Sequence, residues 1–137
     1  MARNLIKSVL KHQYRRASKQ IRENKKDPDP TLYYDRGMIC LSLRDNCAAI
    51  ADFNEAIRLD PNHAEAHFER GKAWYLEGQP HKSRYDFEEA MRLDPLLKHE
   101  IEQFQEQFHS FKELTDANSS SVVDRIEHNL LEESFSH

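Results

Sequence analysis

Glycine is scarce in this chain: three residues, Gly37, Gly71 and Gly78, are scattered along 137 positions. Phosphate cradles need clustered glycines so that backbone N–H groups can approach the ligand, so no nucleotide loop is expected. Cysteine is scarcer still. Cys40 and Cys47 lack the CxxC spacing of redox or zinc sites and read as reduced, core-lining thiols, which fits a cytoplasmic location. No apolar run approaches the roughly 20 residues that cross a bilayer as a helix, and no apolar h-region follows the first basic residues. HExxH and GxSxG are both missing. His63 and His67 stand four apart and could share a metal, but a zinc site wants three or four ligands and no third is indicated, so two surface imidazoles are the expectation. Neither a metal nor a cofactor is expected. Serine, histidine and acid are all present, yet nothing in their spacing brings them together, so no catalytic residue is assigned and the chain reads as a non-enzyme.

Charged residues make up 32% of the chain and hydrophobic ones 38%, which with so little glycine indicates one small, mostly helical domain. Its centre, Pro30 to Pro95, says the same thing twice. At an offset of 34, Arg36/Arg70, Gly37/Gly71, Asp52/Asp86, Phe53/Phe87, Glu55/Glu89, Ala56/Ala90, Arg58/Arg92, Leu59/Leu93, Asp60/Asp94 and Pro61/Pro95 coincide. A fixed period of that length marks a repeat architecture. Within each copy, apolar residues recur at three and four spacings around a central turn, so each unit is a helix hairpin. The first copy has helices from about Thr31 to Leu43 and from about Asn46 to Leu59. Asp29 before Pro30 reads as an N-cap followed by proline at the first helical position, and Pro61 and Pro95 stop the trailing helices. Gly37 with Ala49, and Gly71 with Ser83, are small enough to let paired helices approach, with Phe53 and Phe87 filling the space beside them.

These residues resemble the tetratricopeptide repeat. The family's first helix carries an aromatic, a leucine, a glycine and a second aromatic, places that fall here on Tyr33, Arg36, Gly37 and Cys40 and again on His67, Arg70, Gly71 and Trp74. Its second helix carries a small residue, a bulky aromatic and an alanine before the final proline. Those fall on Ala49, Phe53, Ala56 and Pro61, then on Ser83, Phe87, Ala90 and Pro95. The departures are Arg36 and Arg70 for leucine, Cys40 and His67 for aromatics, and Ser83 for alanine; Cys40 and His67 point to looser packing. The resemblance covers about half the chain. It implies an all-α fold of antiparallel helix hairpins, repeats 30–62 and 64–95, stacked as a short right-handed superhelix with flanking helices at both ends.

Those flanks differ in charge. Residues 1–26 hold nine Lys or Arg and one acid, Glu23, for +8, whereas residues 27–95 carry −6 and residues 96–137 carry −6 again. In the first segment Leu5, Ile6, Val9, Leu10, Tyr14, Ala17 and Ile21 keep helical spacing, with Lys7, Lys11, Arg15, Arg16, Lys19 and Arg22 around the remaining faces. An amphipathic helix from about Asn4 to Asn24 follows. Its apolar stripe is expected to cover the open face of the first repeat, because isolated repeats need terminal caps. Two alternatives stay open: a mitochondrial presequence, and attachment to an anionic membrane surface. One aromatic and no recognised motif argue against nucleic acid. Downstream, Ile101, Phe104, Phe108, Phe111 and Leu114 mark a second covering helix from Leu97 to Leu114, like the family's solvating terminal helix. Residues 115–121 read as a flexible linker, and Val122, Val123, Ile126, Leu130 and Leu131 as the stripe of a short C-terminal amphipathic helix.

What remains is surface recognition. Tyr34, Met38 and Leu41 in the first unit, and Phe68, Lys72 and Tyr75 in the second, occupy matching places one step round from the inward residues of each leading helix. The resemblance implies that this strip lines a concave groove holding a peptide or helix of another protein. Its apolar character favours an apolar or amphipathic segment, with the chain's own C-terminal segment among the candidates. Co-chaperones of the family grip acidic C-terminal peptides with lysines and asparagines on this strip, but Tyr34, Met38 and Glu69 stand at those places and Lys72 is the strip's single base. A targeting or membrane-surface adaptor worked by the basic helix, and self-association through uncovered repeat faces into a homo-oligomer, are the alternatives.

Overall fold

A computed structural model describes residues 1–117, with side chains to His109. The chain divides into two units, residues 1–98 and 99–137. The first holds α1 (Ala2–Glu23), α2 (Pro30–Ser42), α3 (Asn46–Leu59), α4 (Ala64–Leu76) and α5 (Pro80–Leu93), closed by a 3-10 turn at Pro95–Leu97. The described part of the second is α6 (Lys98–Ala117). No strand occurs among the described residues.

Helix starts follow from local chemistry. The Asp29 carboxylate accepts the Thr31 N–H at 2.9 Å with Pro30 at the first helical position, and Asp45 accepts the Ala48 N–H at 3.1 Å. Each caps a donor that the helix itself leaves without a partner. Both hairpin turns pass through a left-handed residue, Arg44 at φ 64° and Gly78 at φ 72°. These lie 34 apart, so the turn is repeated while the residue type is not.

Helices α2 and α3 form one hairpin, α4 and α5 the next, and α3 packs on α4 to stack them. Close approach within each hairpin rests on glycine. A Cβ on Gly37 would lie 2.6 Å from Phe53 Cε1, and one on Gly71 would lie 2.7 Å from Phe87 Cε1. Phe53 and Phe87 are buried in the space so created, along with Ala49, Ala56, Ala66, Ala73 and Ala90. Burying each phenylalanine removes enough apolar surface to stabilise the fold by about 2–3 kcal/mol. Cys40 and His67 are 2% and 5% exposed, so packing at those departures is tight rather than loose. Cys47, in contrast, is exposed and lines no core.

Helix α1 packs on α2 as α3 packs on α4. Ala17 is buried and Tyr14 packs against the Cys40–Ala49–Phe53 cluster. The expected stripe nevertheless divides. Leu5, Ile6 and Val9 are 68%, 60% and 49% exposed. For Leu5 and Val9 the direction they face explains this, since at about 100° per residue they sit roughly 120° and 80° round the helix from Ala17; Ile6 lies on the side of Ala17 but lines an open cleft with Leu10, Ser42, Leu43 and Arg44 at the end of α2.

Helix α6 runs three residues past the expected Leu114, taking in Thr115 to Ala117 of the supposed linker. The remainder of that linker and the C-terminal amphipathic segment lie outside the described residues.

Candidate interaction surface

The leading helices α2 and α4 of the two hairpins touch, which brings both halves of the sequence-derived strip onto neighbouring elements. On α2, Tyr34, Met38 and Leu41 are half-buried and lean on the Cys40–Ala49–Phe53 cluster. The Tyr34 ring lies 5.9 Å from Phe53 and 4.8 Å from His63, tilted ring contacts that join the first hairpin to the start of α4. On α4, Tyr75 is half-buried and Phe68 is 5% exposed, its ring 5.9 Å from Phe87. Lys72 is held in place, its Nζ 2.7 Å from Glu69 Oε2 and 4.8 Å above the Phe68 ring. The lysine's charge is therefore partly met from within α4. A partner carboxylate would have to compete with Glu69.

Behind the strip lies a polar arrangement that the repeat pattern contains but does not explain. Arg36 donates through Nε and Nη2 to both oxygens of Asp52, at 2.9 and 2.6 Å, and through Nη1 to Ser18 Oγ at 3.2 Å. Thirty-four residues on, Arg70 does the same to Asp86 at 2.8 and 2.6 Å and donates to Asn54 Oδ1 at 2.9 Å. Asp52 and Asp86 are 6% and 1% exposed. A planar guanidinium matches a carboxylate bidentately and has donors to spare. Each arginine thus ties the two helices of its hairpin together and fastens them to the preceding helix. The pairing raises the Arg36 pKa, while burial, then the Asp52 charge, pushes the Cys40 thiol up to about 11. The signal was present in the sequence as two of the ten coincidences.

His63 and His67 are not surface imidazoles. His63 is half-buried and its Nδ1 caps α4 by accepting the Ala66 N–H at 3.2 Å. His67 is buried, with Nε2 3.1 Å from the Pro61 carbonyl oxygen and Nδ1 3.5 Å from Asp86 Oδ1. No group of three His, Cys, Asp or Glu among the described residues is placed to hold a metal ion.

Several clefts among the described residues escaped the sequence reading, two of them beside the bridging arginines. One, of about 410 Å³, is lined by Asn54, Arg70, Trp74, His81, Lys82 and Tyr85, with Lys82 Nζ 4.2 Å from the Trp74 ring centre and Tyr85 63% exposed. The other, of about 430 Å³, lies between α1 and Arg36. The six cations Lys7, Lys11, Arg15, Arg16, Lys19 and Arg22 are all exposed along α1, with Lys19 Nζ 3.8 Å from Glu23. No helix among the described residues is long and apolar enough to cross a membrane.

Stacked helix hairpins with a recurring small–aromatic contact define a helical repeat protein. Known proteins narrow the class. Residues 37–78 match the TPR repeat family and residues 64–97 match the tetratricopeptide repeat family. A tetratricopeptide repeat and J domain-containing co-chaperone, DNJ1 of Cryptococcus neoformans var. grubii, is 34% identical over 67 residues. That match covers 47% of this chain and 13% of the relative. Among solved structures, MamA superposes with a TM-score of 0.54 at 21% identity, over 79% of this chain and 60% of that one. The first tetratricopeptide repeat domain of Spaghetti (RPAP3), bound to the HSP90 peptide SRMEEVD, also gives 0.54, at 23% identity over 75% of this chain and 93% of that one. Residues 37–97 carry tetratricopeptide repeats, and the stacked hairpins have the fold of that family.

Proposed function

We propose that this chain is a protein–protein interaction module that binds an apolar or amphipathic segment of a partner along the α2–α4 strip. The carrying observation is the half-buried row Tyr34, Met38, Leu41 and Tyr75 on two touching helices, beside a single lysine already engaged by Glu69. Aromatic side chains offer large contact area at low ordering cost, and methionine adapts its shape to an apolar ligand. The tetratricopeptide repeat matches support the general role, and the RPAP3 domain, which has the same fold, is a protein that binds a peptide. An acidic peptide is not the preferred ligand here, since Tyr34, Met38 and Glu69 occupy places where a carboxylate-gripping strip carries lysine or asparagine.

A displayed peptide library panned against the full chain should enrich amphipathic sequences. Affinity for a selected peptide, read by fluorescence anisotropy, should fall roughly tenfold or more in Met38→Glu and Tyr75→Glu and hold in Tyr85→Ala. Equal affinity across all three variants would remove the strip from the account. The finer reading, that the chain's own C-terminal segment competes for the strip, predicts loss of hydrogen-exchange protection over 34–41 and 68–75 when the chain ends at Thr115. Unchanged protection refutes it.

A further inference from the structure

We propose that the N-terminal half of α1 is a docking surface for an anionic lipid bilayer, with Leu5, Ile6 and Val9 entering the headgroup layer. These three aliphatic side chains form an exposed patch on one helix. The same helix is anchored further along through Tyr14, Ala17 and Ser18. The N-terminal half of α1 is thus already helical before it meets a ligand, with Ile6 at the rim of a cleft formed with Ser42 to Arg44, and the ordering cost that a free amphipathic peptide meets at a membrane is largely absent.

Charge selects the occupant. Between Ala2 and Arg22 there are seven Lys or Arg and no Asp or Glu, whereas residues 27–95 carry −6. The cations are spread over the whole helix, about 30 Å long, and round most of its free circumference. They do not converge on one point. A planar array of lipid phosphates matches such a spread better than a single carboxylate cluster would. Leu5, Val9 and Arg16 are spaced by four and seven and share one side of the helix, which sets a cation at the edge of the apolar patch. The acidic repeats are repelled by the same surface, so the protein is oriented with α1 against the lipid. This surface is separate from the α2–α4 strip and does not depend on it.

The test is co-sedimentation of the full chain with vesicles of phosphatidylcholine alone and with vesicles in which about a third of the lipid is phosphatidylserine. Binding is expected on the second and not the first, weakening as salt rises. Lys11→Glu with Arg16→Glu should lower the partition coefficient by at least about tenfold. Leu5→Ser with Val9→Ser should lower it several-fold without altering charge, roughly as two lost aliphatic insertions require. All four positions are exposed, so both double variants should melt at the wild-type temperature, and circular dichroism checks this. Failure of the wild-type chain to bind phosphatidylserine vesicles overturns the proposal, as does undiminished binding by the serine variant. Binding to a synthetic acidic peptide of sequence 118–137, with vesicles left untouched, assigns the surface to an acidic protein segment and also overturns it.

Discussion

Replacing Arg70 with leucine, the residue that the tetratricopeptide pattern carries at this place, isolates the interaction that holds the second hairpin. The guanidinium supplies two hydrogen bonds to Asp86, which is 1% exposed, and a third to Asn54 on α3. With Arg70 gone, Asp86 keeps the polar His67 ring as a neighbour at 3.5 Å. Removing one member of a buried ion pair typically costs about 3–5 kcal/mol, because the remaining charge stays buried and unmatched. Against about 5–15 kcal/mol for a small domain, Arg70→Leu should leave the chain marginal. Its melting temperature should drop by more than about 10 °C. Adding Asp86→Leu removes the stranded carboxylate, and well-packed apolar pairs often match or exceed the ion pair they replace. The double variant should therefore recover most of the loss, as measured by urea denaturation followed through helical circular dichroism, with the cycle completed by Asp86→Leu alone. If Arg70→Leu costs less than about 1 kcal/mol, or the double variant is no better than the single, the pair does not act as the tie described.

Three further outcomes follow from the same packing. Ser83 is 2% exposed and its hydroxyl has no hydrogen-bond partner among the described residues, so Ser83→Ala, which copies Ala49 of the first repeat, should raise stability by about 1 kcal/mol in chemical denaturation. Gly37→Ala places a methyl 2.6 Å from Phe53 and should destabilise by about 1–3 kcal/mol, a loss that Phe53→Leu partly relieves if the clash is the cause. Thiol titration at pH 8 should find Cys47 reacting fast and Cys40 slow, since Cys40 is buried with its pKa pushed up to about 11. The linkage has a definite sign: from the ordinary value of 9.0 to about 11 the unfolded thiol loses its proton and the native one keeps it, so stability falls as pH rises through that window, and Cys40→Ala flattens the slope.

Much of the fold was written in linear signals. The 34-residue period, the prolines at unit boundaries and the three–four spacing located the hairpins, and α3 spans Asn46–Leu59 as the pattern indicated. The role of Gly37 beside Phe53 was legible because a small residue opposite a large one at matched positions has few other meanings. The candidate strip was legible as a set of positions. Its chemistry was less so, because the depth of Phe68 and the capture of Lys72 by Glu69 depend on neighbours that periodicity does not name.

By itself, then, the sequence determined the repeat, its two-helix unit, the family and the charge division between the first helix and the rest, all properties of spacing and composition. The tertiary structure decided what distance decides. Arg36 reaches Asp52, sixteen residues away, only because the hairpin folds back. His67 is buried only because α5 brings Asp86 against it. An apolar stripe also records which way a helix could face but not how far its neighbour extends. A 22-residue helix against one of 13 leaves part of its length bare near Leu5, whereas Ile6 lines an open cleft with Ser42 to Arg44 and Val9 faces away from α2.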